Sequence, residues 1–295
     1  MGNLTYDTVS GCFVQDDGLA TGVPAIPPRF GLIDDSPERW TRFVAHIDQL
    51  KNTSDSNTKH KVIFFGRHGE GFHNVAIDKY QHQAWIHYWA KLDGDGEIVW
   101  GPDPELTAIG VGQAISAHEA WKAELPFGIP HPEKFYTSPL TRAMKTCEIT
   151  FDGILPDDKR RAIVIENCRE HNGAYTCDKR RTKSYIQQMF PLFDVEPDFS
   201  EEDTLWDENV REAKKHLTER ARKVLDYIFE NDEETFISIT AHIGIIRSFW
   251  ECLGRSPYEL PTGGKNVVFE RRFRPYPRFR CFACHHQGCS HSITN

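Results

Sequence analysis

The sequence predicts an α/β fold, with a mainly parallel central sheet flanked by helices on both faces and an inserted cap region. Three observations carry that expectation. Val62-Ile63-Phe64-Phe65 is a short continuous apolar run, the look of a strand covered on both faces. Residues 211–231 place Ala213, Leu217, Ala221, Val224, Leu225 and Ile228 on one helical face. Such strand and helix patterns alternate along most of the chain. Its 295 residues, 39% of them apolar and 12% aromatic, are enough for one sizeable core.

Residues 1–35 read as an irregular arm, broken by Pro24, Pro27 and Pro28. Ser36-Pro37-Glu38 has the chemistry of a helix start, with Trp40, Phe43, Val44 and Ile47 on the inner face. Residues 52–59 form a polar linker, so 1–59 is expected to be an arm and helix packed on a core domain spanning 60–270. The first strand, 62–65, runs into Gly66-Arg67-His68-Gly69. Helices are expected over 76–92, 107–125, 139–150, 211–231 and 244–253. Strands are expected over 135–137, 162–166, 236–240 and 267–269. Residues 171–210 fit the alternation worst and read as a cap insertion over the sheet edge. Residues 271–295 read as a basic, Cys/His-rich tail with poor order.

The formal net charge of −8 argues against nucleic acid or an anionic membrane as a surface partner. No run approaches eighteen apolar residues. The first ten residues lack the basic and apolar regions of a secretory signal, so the expected compartment is the cytoplasm, with a nuclear share open. Tyr6 stands where a myristoylation signal needs Ser or Thr. In that compartment the eight cysteines stay reduced, and Asn3-Leu4-Thr5 and Asn52-Thr53-Ser54 are chance sequons. Oligomeric state has no readable signature.

In open α/β sheets, ligands sit at the carboxyl ends of the strands. Arg67 and His68 follow the first strand, Arg142 begins the helix after the second, Glu170 follows the third and His242 follows the last long one. Taken singly, each is more often a solvated side chain. Together they suit phosphoryl transfer. A guanidinium matches phosphate oxygens bidentately and keeps its charge. A neutral imidazole can attack phosphorus and hold the phosphoryl group covalently. Fixed cations stabilise charge on the equatorial oxygens, and a carboxylic acid can protonate the leaving oxygen. With that positive charge built in, neither metal nor cofactor is required. The expected partner is a small phosphorylated substrate. Neutral His68 and protonated Glu170 would suit a mildly acidic optimum.

Arg67-His68-Gly69 after an apolar strand, with Asn74 beyond it, resembles the histidine phosphatase (phosphoglycerate mutase-like) superfamily. The resemblance continues in Leu106-Thr107-Ala108-Ile109-Gly110-Val111-Gly112-Gln113, Ser138-Pro139-Leu140-Thr141-Arg142-Ala143, Arg169-Glu170 and Thr240-Ala241-His242-Ile243-Gly244, covering about residues 60–255. Gly69-Glu70-Gly71-Phe72-His73-Asn74 and Thr176-Cys177-Asp178-Lys179-Arg180 look like a fungal branch related to the yeast phosphomutase-like proteins.

The resemblance implies that His68 accepts the phosphoryl group and Glu170 is the general acid. Arg67, Arg142 and His242 bind phosphoryl oxygens, and Asn74 positions the substrate phosphate. Arg180 and Arg181 would reach a second anionic group. Ala241 and Ile243 depart from the family's usual residues and imply a more apolar floor, and Cys168 replaces the usual Leu before Glu170. The implied activity is phosphatase. A phosphoglycerate-type mutase, and a repurposed member acting on or binding a secondary-metabolite phosphate or diphosphate, stay open. In the tail, Cys281, Cys284, His285, His286, Cys289 and His291 could chelate zinc, but their spacing fits no standard finger.

Overall fold

The computed structural model describes residues 5–17, 24–256 and 258–273. Among them, seven strands form one sheet in the order β1-β7-β2-β6-β3-β4-β5. These are β1 (Thr5–Thr8), β2 (Lys59–Arg67), β3 (Lys134–Thr137), β4 (Ala162–Val164), β5 (Asp194–Val195), β6 (Phe236–Ala241) and β7 (Lys265–Phe273). The run β2-β6-β3-β4-β5 is parallel throughout. β7 joins β2 antiparallel, and β1 joins β7 antiparallel. The fold is therefore the mainly parallel α/β architecture read from the sequence.

Among the described residues there are seven α-helices, α1 (Arg39–Thr53), α2 (Phe72–His87), α3 (Ala108–Glu124), α4 (Thr141–Phe151), α5 (Lys183–Met189), α6 (Lys214–Asn231) and α7 (Ile243–Cys252). Successive β2 side chains point to opposite faces. Val62 and Phe64 join one buried cluster with Trp40, Phe43, Trp121 and Met144, under α1, α3 and α4. Ile63 and Phe65 join the other with Leu225, Ile228, Ile245 and Phe249, under α6 and α7. A third cluster, with Trp85, Trp100 and Cys177, lies beneath α2 and the segment after Glu170.

Several boundaries differ from the sequence reading. The arm contributes β1, whose pairing with β7 links residues some 264 positions apart (Asp7 with Arg271), a contact with no local signal. The tail begins later than residue 271. Arg271 and Arg272 lie in β7, paired to Asp7 and Glu230, because the strand continues to Phe273. The cysteines and histidines proposed for zinc lie outside the described residues. α1 starts at Arg39 rather than Ser36, since Asp34 accepts the Ser36 N–H in a turn. Ala213 caps α6 from outside and is exposed. Residues 171–212 contain α5 and also β5, which extends the parallel sheet beyond β4.

Candidate active site

The carboxyl ends of β2, β6 and β3 lie side by side, with Arg67 paired to Ala241 and Thr137 to Thr240. That register places His68, His242 and Ser138 together, because each is the first residue after its strand. The His68 and His242 rings lie 4.9 Å apart, and both residues are buried.

His68 sits in a loop tied on every side. Its backbone N–H donates to Ala241, and its carbonyl accepts from Gly263. The Gly69 N–H donates to Thr146 Oγ1 and the Glu70 N–H to Gln113 Oε1. Thr107 caps α3 and also donates to Glu70 Oε1. A Cβ on Gly110 would stand 2.0 Å from the Glu70 carbonyl oxygen. The Thr107, Gly110 and Gln113 spacing thus packs the start of α3 against the His68 loop.

The ring of His68 is oriented by its own neighbour, with Nδ1 2.6 Å from the Gly69 carbonyl oxygen. A carbonyl only accepts, so Nδ1 carries the proton and Nε2 keeps its lone pair. Burial, and then the charges of Arg142 and Arg67, push the His68 pKa well below the ordinary imidazole range. That direction keeps the ring neutral at physiological pH.

Arg142, at the second position of α4, donates from Nη1 to the Cys177 carbonyl at 2.7 Å and from Nη2 to Asp178 at 2.9 Å. Arg67 donates from Nη1 to the Leu260 carbonyl at 2.9 Å. Both leave a buried Nε without a partner among the described residues. His242 is held through Nε2 by Ser138 Oγ at 2.7 Å, and its buried Nδ1 is likewise unpartnered. Buried polar atoms are nearly always satisfied, so four unmatched nitrogens in one region, counting His73 Nδ1, suit an anionic ligand.

Glu170 takes a different form from the one expected. Its Oε1 accepts from the His171 backbone N–H at 3.0 Å and from His171 Nδ1 at 2.9 Å, while Oε2 accepts the Gly244 N–H at 2.9 Å. Burial acts to raise its pKa. The His171 hydrogen bond and charge, the Gly244 amide and Arg211 outweigh burial and hold the carboxyl well below the usual carboxylate range. The expectation of a protonated Glu170 at rest is therefore corrected to an ionised one. A Cβ on Gly244 would lie 1.9 Å from Glu170 Oε1, so only glycine admits this approach.

Asn74 sits in the first turn of α2, where its Oδ1 accepts the Gly71 N–H at 3.0 Å. Arg180 departs from its expected role. Its Nε donates to Glu166, its Nη1 to the Arg181 and Glu201 carbonyls, and its Nη2 to Ser200 and the Glu202 carbonyl. With every nitrogen engaged and its side chain fully buried, it bolts the segment after Glu170 in place and has no donor for a second anion. Arg181 lies 5.4 Å from the Tyr185 ring, and its charge is felt by Asp103; its buried Nε is unpartnered.

Sequence reasoning missed four further contributors. His73 brings a third imidazole 5.4 Å from His68. Its position between Gly69 and Asn74 was the available signal. Asp178 bridges Arg142 and Arg211. Asp103 accepts the Thr141 N–H and Oγ1–H at 2.9 and 2.7 Å and so caps α4 where Arg142 begins. Burial raises its pKa to about 6. His171 is the partner of Glu170. The last three act through contacts made by distant segments or by loop geometry, which local pattern does not show.

Residues 63–263 match the family model described as Histidine phosphatase superfamily (branch 1). A protein of Arthroderma benhamiae called probable phosphoglycerate mutase is 41% identical over 91% of this chain and 84% of its own length. Phosphomutase-like protein 3 of Candida albicans is 35% identical over 88% of this chain and 78% of its own. Probable phosphoglycerate mutase PMU1 of Saccharomyces cerevisiae is 32% identical, covering 73% of this chain and 81% of its own.

Proposed function

The chain belongs to the histidine phosphatase superfamily, and from that premise we propose that it hydrolyses a small phosphorylated metabolite through a phosphohistidine on His68. The observation that supports this most is the His68 ring. Its proton is held on Nδ1 by Gly69, which leaves Nε2 as an unprotonated nucleophile beside Arg67 and Arg142. The phosphoryl oxygens would satisfy the free Nε of each arginine, in a bidentate manner that also neutralises transition-state charge. His242 completes that cradle, and Glu170 serves the leaving oxygen and then the attacking water. The built-in positive charge lets the reaction run without metal.

The relatives' names support a second reading, a mutase that returns the phosphoryl group to another oxygen of the same substrate. Product analysis separates the two: free phosphate marks hydrolysis, an isomerised ester marks transfer. The deciding experiment measures phosphate release from a panel of esters and diphosphates, with chelator present, for the wild type and His68→Ala. Release by the wild type alone is expected. Equal release by a folded His68→Ala protein would sink the phosphohistidine reading.

A further inference from the structure

Glu170 at rest is a carboxylate, yet the proposed reaction needs it to deliver a proton to the leaving oxygen. The nearest side chain able to carry one is the next residue. His171 Nδ1 lies 2.9 Å from Glu170 Oε1, and the His171 backbone N–H binds the same oxygen at 3.0 Å. The two side chains differ in access, 28% exposed for His171 and 15% for Glu170. His171 also lines a cavity of about 700 Å³, together with Leu217, Gly244, Arg247 and Trp250. The outer member of the pair meets that cavity, and the inner one is within electrostatic reach of His68.

We propose that His171 holds the proton that Glu170 delivers, so that the pair relays protons between this cavity and the phosphoryl group; the proposal rests on the hydrolytic reading above. In the first half, His68 Nε2 bonds to phosphorus as the bond to the leaving oxygen breaks. One proton passes from His171 Nδ1 to Glu170, and one from Glu170 to the departing oxygen. In the second half, a water oxygen bonds to phosphorus and the phosphorus–nitrogen bond breaks. The proton lost by that water returns through Glu170 to His171. Both residues end as they began, and the sum is alcohol plus phosphate.

An imidazole suits this role because each of its two ring nitrogens can carry a proton, one facing Glu170 and the other free to exchange on the far side. The groups facing Glu170 are Arg67 and His68 at the end of β2, the Gly244 N–H at the start of α7, Cys177 and Arg211. Those around His171 are Arg211, which donates to its carbonyl at 2.9 Å, and Lys214, Arg247, Glu251 and Arg255 across the cavity. His171 acts through Glu170 and is a positioning residue for the proton, apart from the groups that touch phosphorus.

The test compares wild type with His171→Asn, whose amide can donate the same hydrogen bond but cannot ionise. Phenyl phosphate and p-nitrophenyl phosphate serve as probes, and His68→Ala as control. For phenyl phosphate, whose basic leaving group needs a proton, His171→Asn should lower kcat/KM by about 10²-fold or more and change the shape of its pH profile. For p-nitrophenyl phosphate, which leaves as an anion, the change should stay within about threefold. Equal loss on both esters, or a His171→Asn pH profile that superimposes on the wild type, overturns the relay while leaving the phosphatase intact. No release by the wild type, or release undiminished in His68→Ala, removes the hydrolytic reading and the relay with it.

Discussion

The His68 pocket and the segment 171–212 that covers its side both bury charge, and they handle it in opposite ways. In the pocket, Arg67, His73, Arg142 and His242 each leave a buried nitrogen without a partner among the described residues. In and beside the segment most donors are matched: Arg180 engages every one, and the flanking Arg169 and Arg220 fork onto Asp203 and Glu212, the latter at 2.8 and 2.6 Å, while Arg169 Nε, Asn172 Oδ1 and Arg181 Nε are left without a partner among the described residues. An unmatched buried polar group costs stability, so several gathered in one place mark a site kept open for a ligand. A matched network instead holds a long connection against the sheet, and becomes costly only when one partner is removed.

The largest expected effect comes from the unmatched side. His68→Ala should lower turnover by at least about 10⁴-fold, as loss of a nucleophile does, with a melting temperature equal to or above the wild type. Paired activity and melting measurements check it. A large fall in melting temperature would mean that His68 is as structural as Arg180.

The matched side should show the reverse. Arg180→Ala leaves Glu166 with Arg169 alone and strands a ring of carbonyls, and should cost about 3–5 kcal/mol in chemical denaturation. Any activity that remains should lose mainly through unfolding. Stability within the error of the wild type would show that the bolt is unimportant.

Gly244→Ala probes the boundary between the two regions. A methyl group there meets Glu170 Oε1, so the carboxylate must move. A displacement near 1 Å should cost about 10²-fold in kcat with little change in stability. Unchanged kcat would mean that Glu170 need not sit where it does.

Two carboxylates, one half-buried and one buried, sharpen the contrast most finely. Glu170 has three donors and is held ionised. Glu270 lies on β7, with Thr8 Oγ1 at 2.9 Å and Arg255 at 3.6 Å, and burial dominates to raise its pKa to about 8. The folded state thus keeps a proton that the unfolded chain releases near its ordinary value of 4.5. Stability from this group is full below that value and is lost progressively as pH rises toward about 8. Wild type should therefore melt lower at the top of that window than at the bottom. Glu270→Gln should reduce that dependence. An unchanged slope would place the titration elsewhere.

Legibility followed the same division. His68, Arg67, Arg142, Glu170 and His242 could be read because each lies at or shortly after the end of a strand, and parallel packing brings strand ends together. Arg180 could not, since its five accepting residues run from Glu166 to Glu202 and meet it only as that segment turns back. β1 escaped notice because its partner lies at the far end of the chain. Arg271 and Arg272 looked like a solvated run until their strand was paired.

The sequence by itself determined the alternation of strand and helix, the strand ends that carry the histidines and arginines, and the glycines that let loops approach α3 and Glu170. Periodicity and local spacing encode those features, because they depend on residues a few positions apart. Tertiary structure alone decided which nitrogens stayed open, which carboxylate was ionised, and that His171 rather than solvent meets Glu170. Those outcomes depend on burial and on hydrogen-bond partners drawn from several segments, and neither is a property of any one stretch of chain.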